Sequence, residues 1–274
     1  MVDYQHIRVE PISPALGALI HEVDCRDNLP DQVIEEIRRA WLQHLVVFFP
    51  KQDLEPAEQL AFARRFGEPA EYPMVQGMIG FPEVVQVVKL PHEAHNFGGI
   101  WHSDTTYLEQ PPIGALLLAR ELPPVGGDTL FANMYLAYDA LSEGMKTLLD
   151  KLIVVQSSAK AGAARSREDR LSDESTVVKQ ALEAEHPAVR THPETGRKVL
   201  FVNYGHSVRF KDMTEAESKP VLDYLFAHQT RPEFTCRFQW SVGSMAMWDN
   251  RCTQHNPIND YHGFKRVMHR ISIN

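Results

Sequence analysis

The sequence predicts a mainly β fold, a β-sandwich or jelly roll with helices packed outside it. From Val84 onward the chain breaks into short strand-like runs separated by turns rich in Gly and Pro, as at Pro123-Pro124-Val125-Gly126-Gly127-Asp128. Helical periodicity is confined to three stretches, and the regular strand–helix alternation of a doubly wound parallel sheet is absent. Of the 274 residues, 43 % are hydrophobic and 23 % charged, enough apolar material for a sizeable core. A chain of this length is within the range of one large β-rich domain, and 1–274 is read as such.

Pro30 and Asp31 open the first helix, whose Val33, Ile34, Ile37 and Leu42 recur at helical spacing. Leu45–Phe49 is a continuous apolar run and is expected to be a buried strand. Pro56 starts a second helix carrying Leu60, Ala61 and Phe66. Strands are then expected at Val84–Val88, Ile113–Leu118, Thr129–Phe131, Val199–Val202, Phe234–Trp240, Met245–Trp248 and Arg266–Ile273. Between the last of these, Thr214-x-x-Glu217 matches a capping box ahead of Val221, Leu222, Leu225 and Phe226, which places the third helix. The segment Gln156–Gln180 has almost no large apolar residue. It reads either as a solvated insertion or as a lid over a site.

The net charge of −8 argues against a general nucleic-acid binder, which needs a basic face to displace counterions from phosphates. No apolar run approaches the ~20 residues of a membrane span. Asp3, Glu10, Glu22, Asp24 and Asp27 interrupt the first 30 residues and leave no signal-peptide core. Cys25, Cys236 and Cys252 are too scattered for a disulfide framework or a CxxC metal knuckle. Free thiols and a cytoplasmic location are expected.

His102-Ser103-Asp104 sets an imidazole and a carboxylate two residues apart. On extended backbone both side chains point to one side and can reach one metal ion. Alone the pair is weak evidence; His192-Pro193-Glu194 has similar spacing and no support, and His92 and His95 are expected at the surface. A second run, Trp248–Pro257, contains His255, and 11 residues later a strand begins at Arg266 on which Arg266, Met268 and Arg270 share a face. Guanidinium groups on an inner face are costly unless each meets an anion. Asp249 or Asp260 could supply it, or the arginines could face solvent. Taken together, His102, Asp104 and His255 form a two-His-one-carboxylate set that leaves one face of an Fe(II) ion open. An Arg shortly after the second His suits the far carboxylate of 2-oxoglutarate, which needs a fixed bidentate cation.

On these residues the chain resembles the taurine and aryloxyacetate dioxygenase family of Fe(II)/2-oxoglutarate-dependent enzymes. The resemblance spans nearly the whole chain and is closest in three blocks. These are Trp101-His102-Ser103-Asp104 through Glu109-x-Pro111-Pro112, Glu121-Leu122-Pro123 through Gly126-Gly127-Asp128-Thr129, and Trp248-Asp249-Asn250-Arg251 through Arg270. It implies a double-stranded β-helix, a cupin-like jelly roll, with flanking helices. It also implies iron held by His102, Asp104 and His255, the 2-oxoglutarate carboxylate held by Thr129 and Arg266, and an anionic substrate head met by Arg270. Fe(II), 2-oxoglutarate and O2 are the implied cofactor and cosubstrates, and a homo-oligomer, dimer or tetramer, is expected by analogy.

The chain departs from taurine-specific members at Ala70-Glu71-Tyr72-Pro73-Met74-Val75, at Gly98 where they place an Asn, and at His206 where they place a Phe. Tyr72 and His206 are therefore the substrate-pocket candidates. The implied reaction decarboxylates 2-oxoglutarate to succinate and CO2 while hydroxylating a small organic anion. A sulfonate or sulfate ester is favoured, with an aryloxyalkanoate as the alternative. Two readings of other classes compete: a zinc hydrolase using the same triad, which leaves Arg266 and Thr129 without a task, and a non-catalytic anion-binding protein.

Overall fold

The structure is a computed structural model, and it describes residues 4–73, 75–160 and 181–274. The strands are β1 Arg8–Pro11, β2 Ala18–His21, β3 Val46–Phe49, β4 Pro69–Ala70, β5 Val85–Lys89, β6 Gly114–Glu121, β7 Thr129–Asn133, β8 Ile153–Ser157, β9 Glu183–Pro187, β10 Val189–Thr191, β11 Lys198–Leu200, β12 Ser207–Phe210, β13 Thr235–Phe238, β14 Met245–Asp249, β15 Thr253–Pro257 and β16 Arg266–Ile273. The α-helices are α1 Asp31–His44, α2 Pro56–Ala63, α3 Met134–Asp139, α4 Glu143–Leu149 and α5 Glu215–Gln229.

The major sheet runs β1-β2-β3-β14-β6-β16-β4, with β5 also pairing β16, and all its pairs are antiparallel except β2 with β3. A minor sheet, β13-β7-β15, lies against it. Phe48 on β3 shows how the two meet: its ring stacks on Phe238 of β13 with centroids 3.8 Å apart and meets Phe131 of β7 edge-on at 5.7 Å. Val46 and Phe48 face this inter-sheet core, whereas Val47 and Phe49 face a second core roofed by Ile37 and Trp41 of α1 and by Leu60 and Phe62 of α2. All four strand residues are fully buried, because this strand is covered on both faces, which is why it reads as an unbroken apolar run. The architecture is the jelly roll with outer helices that the sequence predicts.

Helix α1 starts where Pro30-Asp31 place it, and α5 carries the expected capping box, with Thr214 Oγ1 accepting from the Glu217 amide and Glu217 Oε2 accepting from the Thr214 amide. Several boundaries differ. Helix α2 stops at Ala63, short of Phe66. The stretch Phe234–Trp240 is strand only over Thr235–Phe238, and the strand expected at Val84–Val88 runs one residue further, to Lys89. The segment read as starting at Gln156 starts later: Gln156 and Ser157 belong to β8 and are buried, Gln156 bonding to Thr106, Asn203 and Phe201. The polar end of β8 reads as loop in the sequence, yet it is buried because the Gln156 amide is satisfied by partners far along the chain. From residue 161 to 180 the expected lid lies outside the described residues.

Candidate active site

The site forms where β7 and β15 of the minor sheet face β16 of the major one. His102 and His255 are joined by a reciprocal backbone bridge, His102 N to His255 O at 3.0 Å and His255 N to His102 O at 2.8 Å. That bridge, between residues far apart in the chain, sets the two rings side by side with centroids 4.2 Å apart. Both Nε2 atoms face one oxygen of Asp104, His102 at 3.7 Å and His255 at 3.9 Å. The donor atoms of His102, Asp104 and His255 all lie within 4.8 Å of one another, and all three residues are buried.

The surrounding hydrogen bonds hold this set in place. His102 Nδ1 lies 2.8 Å from the Ile100 carbonyl, so donation there turns Nε2 into the nitrogen suited to ligate a metal. Asn250 clamps the Asp104 backbone from both sides, its Oδ1 accepting from the Asp104 amide at 2.7 Å and its Nδ2 donating to the Asp104 carbonyl at 3.0 Å. Trp248 Nε1 donates to Asp104 Oδ2 at 3.2 Å. Gly98, at φ +70°, lets the preceding loop pass over His102; a Cβ there would lie 3.0 Å from His102 Cε1. Burial pushes His255 down to about 3, reinforced by the adjacent His102, so its imidazole is neutral near pH 7, the form that ligates metal. Burial works to raise the Asp104 carboxyl, but neighbouring charge, Arg270 foremost, outweighs it and keeps Asp104 ionised. Two imidazoles and one carboxylate on converging donors fit an Fe(II) ion bound on one face.

Arg266 opens β16 and is 5 % exposed, with Nε and Nη2 meeting no acceptor among the described residues. Thr129, at the start of β7, accepts from Trp240 Nε1 at 3.0 Å, so its hydroxyl hydrogen is available to a ligand oxygen. His102, Asp104, His255, Thr129, Arg266 and Arg270 line one cavity, whose other walls are Val87, Phe97, Gly98, Leu117, Phe131, Trp248 and Pro257.

Arg270 meets neither Asp249 nor Asp260: its Nη2 lies 2.9 Å from Asp104 Oδ1, and its guanidinium sits 4.9 Å over the Tyr72 ring. Tyr72 does not itself line the cavity but backs Arg270, with its hydroxyl 3.4 Å from that of Tyr107. His206 packs edge-on against His102 at 6.2 Å and Tyr107 at 4.9 Å, behind the metal-ligand candidate. His192 and Glu194 belong elsewhere: His192 Nε2 is 2.9 Å from Asp249 Oδ2, and Glu194 joins Arg38 and Arg251. His92 and His95 are exposed.

Sequence reasoning missed the supporting roles of Trp240, Trp248 and Asn250. The last two stand in a quoted block, yet their targets lie about 145 residues away in the chain. It missed β15 too, since Thr-Gln-His-Asn-Pro has no apolar alternation.

The family model described as "Taurine catabolism dioxygenase TauD, TfdA family" matches residues 8–272. An alpha-ketoglutarate-dependent sulfate ester dioxygenase of Pseudomonas putida is 34 % identical, over 97 % of this chain and 88 % of that protein. An alpha-ketoglutarate-dependent 2,4-dichlorophenoxyacetate dioxygenase of Cupriavidus pinatubonensis is 32 % identical, over 89 % of this chain and 90 % of that protein. The crystal structure of a taurine dioxygenase from Burkholderia xenovorans superposes with a TM-score of 0.83 at 35 % identity, covering 98 % of this chain and 91 % of that one. With the match running almost end to end, the chain belongs to the taurine catabolism dioxygenase TauD, TfdA family.

Proposed function

We propose that the protein is an Fe(II)- and 2-oxoglutarate-dependent dioxygenase that hydroxylates a small organic anion, a sulfonate or a sulfate ester, converting 2-oxoglutarate and O2 to succinate and CO2. The observation that carries the reading is one cavity holding both a His102–Asp104–His255 donor set and a buried guanidinium, Arg266, with two donors unmet. A zinc hydrolase would need the first and leave the second unexplained. The chemistry Fe(II) supplies when bound at such a triad is oxidative decarboxylation of the keto acid coupled to oxygen insertion at a C–H bond.

The chain's own residues bind and orient. Arg266 and Thr129 take the far carboxylate of 2-oxoglutarate, which fixes the keto-acid end toward the triad. Arg270 holds the substrate anion from beside Asp104, with Tyr72 backing its guanidinium. Val87, Phe97, Leu117 and Phe131 keep the cavity walls apolar, which suits an alkyl chain and limits water around the reacting carbon. His206 shapes the pocket through the His102 ring. The identity with the sulfate ester dioxygenase favours a sulfate ester, while the dichlorophenoxyacetate relative keeps an aryloxyalkanoate as the second reading.

The test is an anaerobic titration with Fe(II) and then 2-oxoglutarate, followed by succinate assays over sulfonates, sulfate esters and aryloxy acids. A visible charge-transfer band that His255→Ala abolishes supports the class. Metal binding without such a band sinks it. The three cysteines are unpaired, and no helix among the described residues is long and apolar enough to cross a membrane. We further propose that 1–274 acts as one catalytic domain in the cytoplasm and as a dimer or tetramer, which light scattering on the purified protein checks.

A further inference from the structure

Lys89 ends β5 directly opposite Arg266 on β16, so the two side chains leave the sheet on the same face. It shares that face with Val87, two residues earlier, which lines the cavity. Lys89 is 2 % exposed, and its Nζ has no hydrogen-bond partner. Its ammonium lies 4.6 Å from the centre of the Tyr261 ring, and the Arg266 guanidinium lies 6.0 Å from the same ring. The acids of the neighbourhood are taken: Asp128 binds Arg237 Nε at 2.6 Å, while Asp260 accepts from the Gly127 amide at 2.7 Å and faces Arg237 at 3.8 Å. Among the described residues no carboxylate lies within ion-pair distance of either Lys89 or Arg266.

Two buried cations side by side, both with unmet donors, repel each other and have lost their hydration. Such an arrangement is stabilised when an anion joins them. A carboxylate offers about four lone-pair sites, enough for a bidentate guanidinium and an ammonium together. Tyr261 provides a neutral, electron-rich face that tolerates the cations when the anion is away.

Resting on the reading that Arg266 anchors 2-oxoglutarate, we infer that Lys89 is a second cation for the far carboxylate of that cosubstrate, and that the pair selects keto acids bearing a second carboxylate. No covalent step is involved.

The test measures binding of 2-oxoglutarate, and of 2-oxopentanoate as an analogue lacking the far carboxylate, to Fe(II)-loaded protein by anaerobic calorimetry. Lys89→Met is expected to weaken 2-oxoglutarate about 10- to 100-fold, as for loss of a hydrogen bond to a charged group. Binding of 2-oxopentanoate should change little, so the preference for the diacid shrinks. Melting of the ligand-free variant should be no lower than wild type, because an unpaired buried charge is gone. A purely structural Lys89 would lower melting and leave the diacid preference intact. If the methionine variant does not fold, Lys89→Gln, which keeps a donor and loses the charge, is expected to show the same shrinkage. Diacid binding within twofold of wild type in the folded variant overturns the inference. Arg266→Met distinguishes the underlying reading: unchanged 2-oxoglutarate binding there refutes the anchor itself.

Discussion

Arg266 and Arg270 lie four residues apart on one strand face and are both buried, yet their surroundings assign them different tasks. Arg266 has no anion of its own, whereas Arg270 already faces Asp104. Arg266→Ala is therefore expected to raise the KM for 2-oxoglutarate by at least tenfold, and Arg270→Ala to act mainly on the KM of the prime substrate. Steady-state kinetics with each ligand varied separately check this, and reversed effects would exchange the assignments. A second buried charge group is structural. Burial works to raise the Asp249 carboxyl, but hydrogen bonds from His192 and Arg251 outweigh it and hold Asp249 below the ordinary aspartate range. The stability this contributes is fully present above pH ~4, where an unfolded aspartate is ionised, and is lost as pH falls through the lower folded value. Asp249→Asn should thus flatten the acid limb of a melting-temperature-against-pH curve. Arg251→Ala, which takes the cation from that buried carboxylate, should cost about 3–5 kcal/mol in urea unfolding.

At the scale of elements, the site depends on where short irregular pieces cross. The loop through Gly98 passes so close to His102 that a side chain must push the ring, and its φ of +70° disfavours any L-residue. Gly98→Val is expected to weaken Fe(II) binding at least tenfold while far-ultraviolet circular dichroism stays unchanged, since the loop is not part of a sheet; metal titration followed by intrinsic fluorescence measures it. Gly127 does similar work in the turn before β7. At φ +72° it brings the backbone to the Arg266 side chain, where a Cβ would lie 3.4 Å from Arg266 Nε. β3, β14 and β16 were legible because they are apolar on faces that pack. β15 and the polar end of β8 were not, because His255 and Gln156 look like loop residues until their partners, His102 and Asn203, are brought alongside.

For the whole molecule, the two sheets enclose a cavity whose ligating groups come from both sides. Ligands that bridge the sheets should therefore stabilise the folded state by mass action. With Fe(II) bound under argon, 2-oxoglutarate at about 100 times its Kd is expected to add about 2.7 kcal/mol, seen as a rise in melting temperature. No rise at saturating cosubstrate would mean that the cavity does not take it.

The sequence by itself pointed to the fold class, to three of the outer helices (α1, α2 and α5) and to His102, Asp104, His255 and Arg266 as candidates, and the family resemblance added Thr129 and Arg270. The first group follows from local periodicity and from the residue types that metal and carboxylate chemistry demand. Only the tertiary structure decided which charges are already answered. It paired Arg270 with Asp104, drew Asp249 to His192 and Arg251, and left Lys89 and Arg266 without an acid. Burial and partnership are properties of three-dimensional neighbours, and pairs such as Asp104 with Arg270 or His192 with Asp249 lie too far apart in the chain for spacing to reveal them.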